Sequence, residues 1–234
     1  MKDERLLAIA DMIIEGEPIA DIGADHAKLT IYLLKNHLIP WAIVTDVSEE
    51  PYKRALITIA ENSCQNKVQA RKGNGLQVLA EGEVGSIIIA GMGADNILSI
   101  LSYDWQKSNS FKRYIFQPMS RVQVLRSFLA LKGWPILDER LVRVKNRYFV
   151  VLSSMPGQSP YSLSPLEKEI GPIILQSNCQ YKKEYLRAIY EKYKFLLNNI
   201  SQSQRYSQED KVKRLEMHRK IIIELEEILY EGDG

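Results

Sequence analysis

At 234 residues, with 45% apolar and 26% charged side chains, the chain can bury one sizeable core and still carry a smaller appendage. A net charge of +2 excludes a uniformly basic or acidic polyelectrolyte, and no apolar run approaches the ~18 residues of a membrane-spanning helix, so a cytoplasmic protein is expected. Cys64 and Cys179 fit neither a metal-ligand spacing nor a disulfide framework and read as reduced thiols.

Residues 5–14 place apolar side chains at helical spacing and should lie against a sheet. Strands and helices then alternate. A strand at Ile19–Ile22 leads to a helix at Ala27–Lys35, and a strand at Trp41–Thr45 to a helix at Tyr52–Glu61. Val68–Arg71 is the third strand and Leu76–Leu79 a short helix. Gly85–Ala90 carries an Ile-Ile-Ile run, as expected of a strand covered on both faces, with a helix at Asp95–Leu101 after it. Tyr114–Gln117 precedes a helix at Val122–Lys132. Ile136–Val144, a turn at Lys145–Asn146 and Tyr148–Ser153 form an antiparallel hairpin that closes the sheet. Such alternation predicts a doubly wound α/β sheet, parallel in its body, with helices on both faces.

The composition breaks once, at Pro156–Pro165, so two domains are expected, over 1–157 and 165–234. The second is purely helical. Leu186, Ile189, Tyr193, Leu196 and Ile200 make one apolar stripe, and Leu215, His218, Ile222, Leu225 and Leu229 another. Separated by the polar Ser201–Gln208, the two stripes predict an antiparallel coiled-coil hairpin with His218 as a packing residue.

Charge is unevenly spread. Residues 1–111 hold 10 Lys and Arg against 15 Asp and Glu, whereas 112–147 hold 9 against 2. Within the coiled coil, 182–220 hold 11 against 5. Basic bands beside an acidic body predict a polyanionic partner.

The chemistry gathers around Asp21-Ile22-Gly23-Ala24-Asp25-His26 at the end of the first strand. A dinucleotide site wants Gly-x-Gly-x-x-Gly there, whereas this loop has one glycine and an inserted carboxylate, which disfavours a pyrophosphate and hence an NAD-dependent oxidoreductase. Two acids suit a ligand carrying an amine or sulfonium. Asp46, 25 residues after Asp21, stands where a doubly wound fold keeps the acid for ribose hydroxyls, and Asn74 closes the third strand beside the expected adenine edge. Amine acid, ribose acid and adenine contact, in that order, fit S-adenosylmethionine.

Four segments together carry a family resemblance: Asp-Ile-Gly-Ala-Asp-His-Ala-Lys-Leu (21–29), Arg-Lys-Gly-Asn-Gly-Leu (71–76), Ile-Ala-Gly-Met-Gly-Ala (89–94) and Gln-Pro (117–118). The chain resembles the TrmK family, bacterial S-adenosylmethionine-dependent methyltransferases that act on adenine N1 at position 22 of tRNA, nearly end to end. The resemblance implies a class I, Rossmann-like methyltransferase fold with a C-terminal coiled coil, S-adenosylmethionine as cofactor and tRNA as partner; no metal is expected, and a monomer is the favoured state. It assigns cofactor binding to Asp21, Gly23, Asp25, His26, Asp46, Asn74, Gly75 and Gly91, and the catalytic surroundings of the base to Asp25, His26, Gly91, Met92, Gly93 and Tyr148. Arg113, Arg121, Arg126, Arg143, Lys145 and Arg147 of the basic band are the expected RNA contacts. The chain departs from the family pattern at Lys28, Thr30, Ala94, Met119 and Phe149, where the family usually has Tyr, Pro, Gly, Asn and Glu. Ala94, Met119 and Phe149 motivate a second reading, a catalytically silent RNA-binding relative that keeps the cofactor pocket.

Overall fold

The computed structural model describes residues 3–202 and 207–230, which fall into two compact units, 1–162 and 163–234. The division lies inside the proline-rich break. Residues before it are fastened to the first unit: the Tyr161 amide donates to the Ala130 carbonyl (3.1 Å) and its hydroxyl to that of Trp134 (3.0 Å).

In the first unit, β1 (Ile19–Ile22), β2 (Ala42–Asp46), β3 (Val68–Lys72), β4 (Ser86–Met92) and β5 (Arg113–Pro118) are parallel. β6 (Ile136–Val144) and β7 (Arg147–Ser154) are the antiparallel hairpin, and the sheet order is β3-β2-β1-β4-β5-β7-β6. Thus β7, not β6, joins the parallel body. Helices cover both faces of the sheet: α1 (Glu4–Ala10), α2 (Lys28–Lys35) and α3 (Glu49–Glu61) lie against one and α4 (Ala94–Tyr103), α5 (Trp105–Ser108) and α6 (Val122–Leu131) against the other. Strand alternation records this division. Ile19, Val44, Ile88, Ile115 and Val151 share a buried cluster with residues of α1, α2 and α3. The alternate residues include Tyr114, which faces the Trp134 ring at 4.9 Å, while Trp134 stacks on Trp105 at 5.1 Å.

Three elements differ from the sequence expectation. The first helix stops at Ala10, yet Met12 and Ile13 remain buried, so the apolar period runs on through an irregular turn. Helix α3 begins at Glu49, because Pro51 falls in its first turn, where no amide needs an intrahelical acceptor. The short helix α5 has no periodic signal in four residues; Asp104 caps it by accepting the Lys107 amide.

The second unit begins with α7 (Pro165–Ile170), held by a reciprocal Ser164–Glu167 capping box, and α8 (Pro172–Gln176). α9 (Lys182–Gln202) and α10 (Gln208–Tyr230) pair as a hairpin. Tyr185, Leu186, Tyr190, Tyr193 and Ile200 are buried on α9, and His218, Ile221, Leu225 and Leu229 on α10. Ile221 therefore takes the seam position expected of Ile222. The His218 ring lies 5.0 Å from that of Tyr193, and its Nδ1 is 2.6 Å from the Arg214 carbonyl, a packed side chain as anticipated. The expected polar break extends over 203–206, which lie outside the described residues.

Candidate functional site

Parallel strands end together, so the loops after β1, β2, β3 and β4 meet at one edge, and β1 and β4 are the neighbours at which the winding reverses. Two cavities open there. One, about 400 Å³, is bordered by Ile22, Gly23, Thr45, Asp46, Val47, Gly73, Asn74, Gly75, Ala90, Gly91 and Met92, with Asn96, Ser99 and Ile100 of α4. The other, about 430 Å³, is bordered by Asp21, Gly23, Ala24, Asp25, His26, Lys28, Leu29, Ala90, Gly91 and Gln117, with Asp3, Arg5, Leu6 and Ile9. Both include Gly23, Ala90 and Gly91, so they are two halves of one crevice over the strand tips.

The backbone at that seam is built for close approach. Gly23 has φ +72°, its amide donates to the Thr45 carbonyl (2.7 Å), and a Cβ there would lie 2.2 Å from Met92 Cε. Gly91 has φ +76° at an irregularity in the β4–β5 ladder, and nothing lies within 4 Å of where its Cβ would stand. Asp25 and Ala27 are also in the left-handed region, at φ 45° and 49°, which bends the chain sharply into α2.

Asp21 shares strand parity with Ile19 and so points beneath α2, where the Thr30 hydroxyl donates to its Oδ2 at 3.0 Å. It is 6% exposed and burial lifts its carboxyl to about 6, although the Thr30 bond opposes the rise. Asp25 meets Arg54 of α3: Nε donates to Oδ1 at 2.7 Å and Nη2 lies 2.6 Å from the same oxygen. His26 Nε2 is 3.6 Å from Asp25 Oδ2. Asp46 ends β2 and accepts the Ser48 amide on Oδ1 at 2.9 Å. Asn74 precedes a single 3-10 turn, Gly75–Val78, without capping it through its side chain. Gly75, φ +55°, allows that turn to press on Ile100, whose Cγ2 would be 2.9 Å from a Cβ.

The sequence-expected residues are thus brought together with two qualifications. Met92 borders only the Asp46 half, its terminal methyl over Gly23, and Gly93, at the start of α4, approaches Ser120 Oγ. Tyr148 borders neither half; it sits on β7 opposite Arg143, whose guanidinium covers its ring at 5.8 Å. The neighbouring Phe149, on the other face of β7, backs the crevice instead: Arg5, which Asp3 pairs at 2.7 Å, lies 4.9 Å above its ring.

The basic band divides by position. Phe116 pairs with Leu152, so the hairpin tip at Lys145 and Asn146 projects well past the end of β5 on the crevice side, carrying Arg143, Lys145 and Arg147. Arg121, after β5, pairs with Asp95 at 2.6 Å. Arg113 begins β5 and therefore lies at the opposite end of the sheet, donating to the Met12 carbonyl at 3.3 Å. Arg126 is corrected outright. With 0% exposure and its Nε 2.6 Å from the equally buried Glu139, it is a core ion pair and touches no RNA.

Arg5 and Arg54 carried no sequence signal, because each comes from an element remote from the glycine motifs, while Thr30, Thr45 and Gln117 lie in or beside the motif segments without being assigned a role there. The Thr45 hydroxyl is the informative one. Thr45 borders the Asp46 half, and its hydroxyl is buried with no hydrogen-bond partner among the described residues. An orphaned hydroxyl, a ribose-height carboxylate and an open Gly91 backbone fit a nucleoside ligand in that half. The buried carboxylate of Asp21 in the other half fits a cationic amine.

Residues 2–152 match the family of methyltransferase domains. The tRNA (adenine(22)-N(1))-methyltransferase of Bacillus subtilis strain 168 is 29% identical over 171 residues, which cover 73% of this chain and 72% of that protein. An uncharacterized Listeria monocytogenes protein superposes with a TM-score of 0.86 at 28% identity, covering 98% of this chain and 100% of the other. M. capricolum TrmK, solved with S-adenosylhomocysteine, superposes with a TM-score of 0.77 at 25% identity, covering 95% of this chain and 98% of its own.

Proposed function

This chain belongs to the TrmK family of methyltransferases, and we propose that it transfers the methyl group of S-adenosylmethionine to N1 of an adenine in tRNA, at position 22. The carrying observation is the two-part crevice, in which a nucleoside-shaped half and a half with a buried carboxylate share the Gly23, Ala90 and Gly91 backbone. Asp46 would hold the ribose hydroxyls through Oδ2, since Oδ1 is occupied by the Ser48 amide. Asn74 and the Gly75 turn would meet the adenine edge, Thr45 would use its hydroxyl, and Asp21 would take the ammonium. When bound, S-adenosylmethionine supplies an electrophilic methyl group.

Adenine N1 attacks with an in-plane lone pair, so no proton has to leave first and the protein needs no strong general base. Its work is to position the base and to stabilise the positive charge that the base acquires. Gly91 lets the backbone come close at the seam. Asp25, partly neutralised by Arg54, leaves its Oδ2 and His26 beside the half where the base enters. Because N1 is the pairing edge, the adenosine must be unpaired or turned out of its helix. Arg143, Lys145 and Arg147 at the hairpin tip would carry the flanking phosphates, and the basic stretch of the α9–α10 hairpin the body of the tRNA.

The test is to incubate the protein with S-adenosylmethionine and unmodified tRNA carrying an adenosine at position 22, digest the product and identify nucleosides by mass. N1-methyladenosine confined to that position is the expected result. Cofactor binding without product would establish the silent relative instead.

A further inference from the structure

We propose that Thr30 is a positioning residue of the cofactor site: its hydroxyl holds the Asp21 carboxylate ionised and aimed into the crevice, and so sets the lowest pH at which the ligand's ammonium is captured. The inference deepens the reading above and rests on it. Its geometry is direct. Thr30 is fully buried in the first turn of α2, and its Oγ1 donates to Asp21 Oδ2 at 3.0 Å instead of turning back to its own helix. Asp21 is buried and borders the half of the crevice away from Asp46.

A buried carboxylate that must pair with an ammonium faces two opposed demands. Burial strengthens the ion pair once it is made, but it also favours the protonated acid, which cannot make it. One donated hydrogen bond eases the conflict by stabilising the charged form without adding a competing charge. Burial leaves the acid titrating at about 6 even with that bond in place.

The other charged groups around this half are accounted for. Asp3 and Arg5 of α1 pair with each other at 2.7 Å, and Asp25 pairs with Arg54 of α3. Gln117 of β5 is neutral. His26 in the loop and Lys28 at the start of α2 complete the border, and the imidazole is removed in one arm of the experiment.

The experiment is calorimetric binding of S-adenosylmethionine by the full chain between pH 5 and 8.5, for the wild type, T30V, T30A and T30S, each also in a H26Q background. Wild-type affinity should be level above pH 7 and fall toward tenfold per unit below about 6. T30V keeps shape and loses the donor. Its fall should begin roughly one unit higher, making binding about twofold weaker at pH 7 and about fivefold weaker at pH 6, while the two proteins converge by pH 8.5. T30A repeats the test without the branched side chain, and T30S should restore the wild-type limb. H26Q should leave the spacing between the curves unchanged. Superimposable limbs for wild type and both hydroxyl-free variants would overturn the proposal, as would a loss of affinity equal at every pH, the mark of a merely structural residue. Wild-type protein that binds no S-adenosylmethionine at any pH would instead overturn the assignment of the site, and this inference with it.

Discussion

Gly91 and Gly16 form a matched pair. Their φ angles are +76° and +78°, and neither has any atom within 4 Å of the position a Cβ would take. Alanine should cost both sites the same left-handed strain, about 1–2 kcal/mol, with no steric term in either case. For a domain of this size that is a fall in melting temperature of roughly 2–8 °C. The sites differ in what they face. Gly16 precedes β1, at the end of the sheet away from the crevice, and its amide donates to the Leu38 carbonyl at 2.8 Å. Gly91 lies at the seam of the two cavities, so its added methyl occupies the space where the ligand must cross. G16A should bind S-adenosylmethionine as the wild type does, whereas G91A should lose about tenfold or more in affinity, a change of at least about 1.4 kcal/mol. Melting by calorimetry and titration with the cofactor measure both quantities on the same samples. Equal cofactor affinities for the two variants would refute the crevice assignment, and a much larger melting shift for G91A would refute the claim that its surroundings are open.

Asp21→Asn should abolish cofactor binding yet stabilise the ligand-free protein at pH 7. Its folded carboxyl sits near 6 against 3.8, so the cost of keeping it charged is absent below about pH 4 and grows to roughly 3 kcal/mol above 6; a variant no more stable than wild type in urea at pH 7 argues against it. Arg126→Ala strips the counter-ion from buried Glu139 and should destabilise the fold by about 3–5 kcal/mol. Unaltered stability with weakened tRNA binding would restore Arg126 to the RNA surface. Reversing charge at Arg143, Lys145 and Arg147 together should lower the slope of tRNA affinity against salt by about 2–3 and leave cofactor affinity alone, read by filter binding over a salt series. A chain ending at Ser162 should fold, bind S-adenosylmethionine and fail to methylate tRNA; full methylation by that fragment would deny the helical unit a role in holding the substrate.

The parallel body was legible because its strands carry strong, local signals. The Ile-Ile-Ile run of β4 and the polar residues at the ends of β1, β2 and β3 each announce themselves within a few positions, and strand alternation does the rest. The rest of the site depends on contacts distant in sequence. Arg54 reaches Asp25 across 29 residues, and Arg5 meets Phe149 across nearly the whole first unit. Tyr148 and Phe149 show what a motif match leaves open. Adjacent residues on a strand point to opposite faces, so matching the motif to the segment did not decide which aromatic backs the crevice.

The charge asymmetry was misleading in a more instructive way. An acidic stretch over 1–111 and a basic one over 112–147 read as a body beside a polyanion-binding band, but folding sets the two against each other. Lys112 pairs with Glu17 at 2.7 Å, Arg121 with Asp95 at 2.6 Å, and Arg140 with Asp11 at 2.5 Å. Arg126 and Glu139 cancel within the band and leave the surface altogether. Counting charge along a chain cannot distinguish cations that answer acids of the same fold from those that face outward. Here the difference is set by sheet position, because the strands of the parallel body leave Arg113 at the far end while the β6–β7 hairpin outruns them. Of the six basic residues expected to contact RNA, Arg143, Lys145 and Arg147 are the ones carried on a projecting tip on the crevice side, and under the proposed function a phosphate chain is led past that tip so that its bases turn toward the glycine seam.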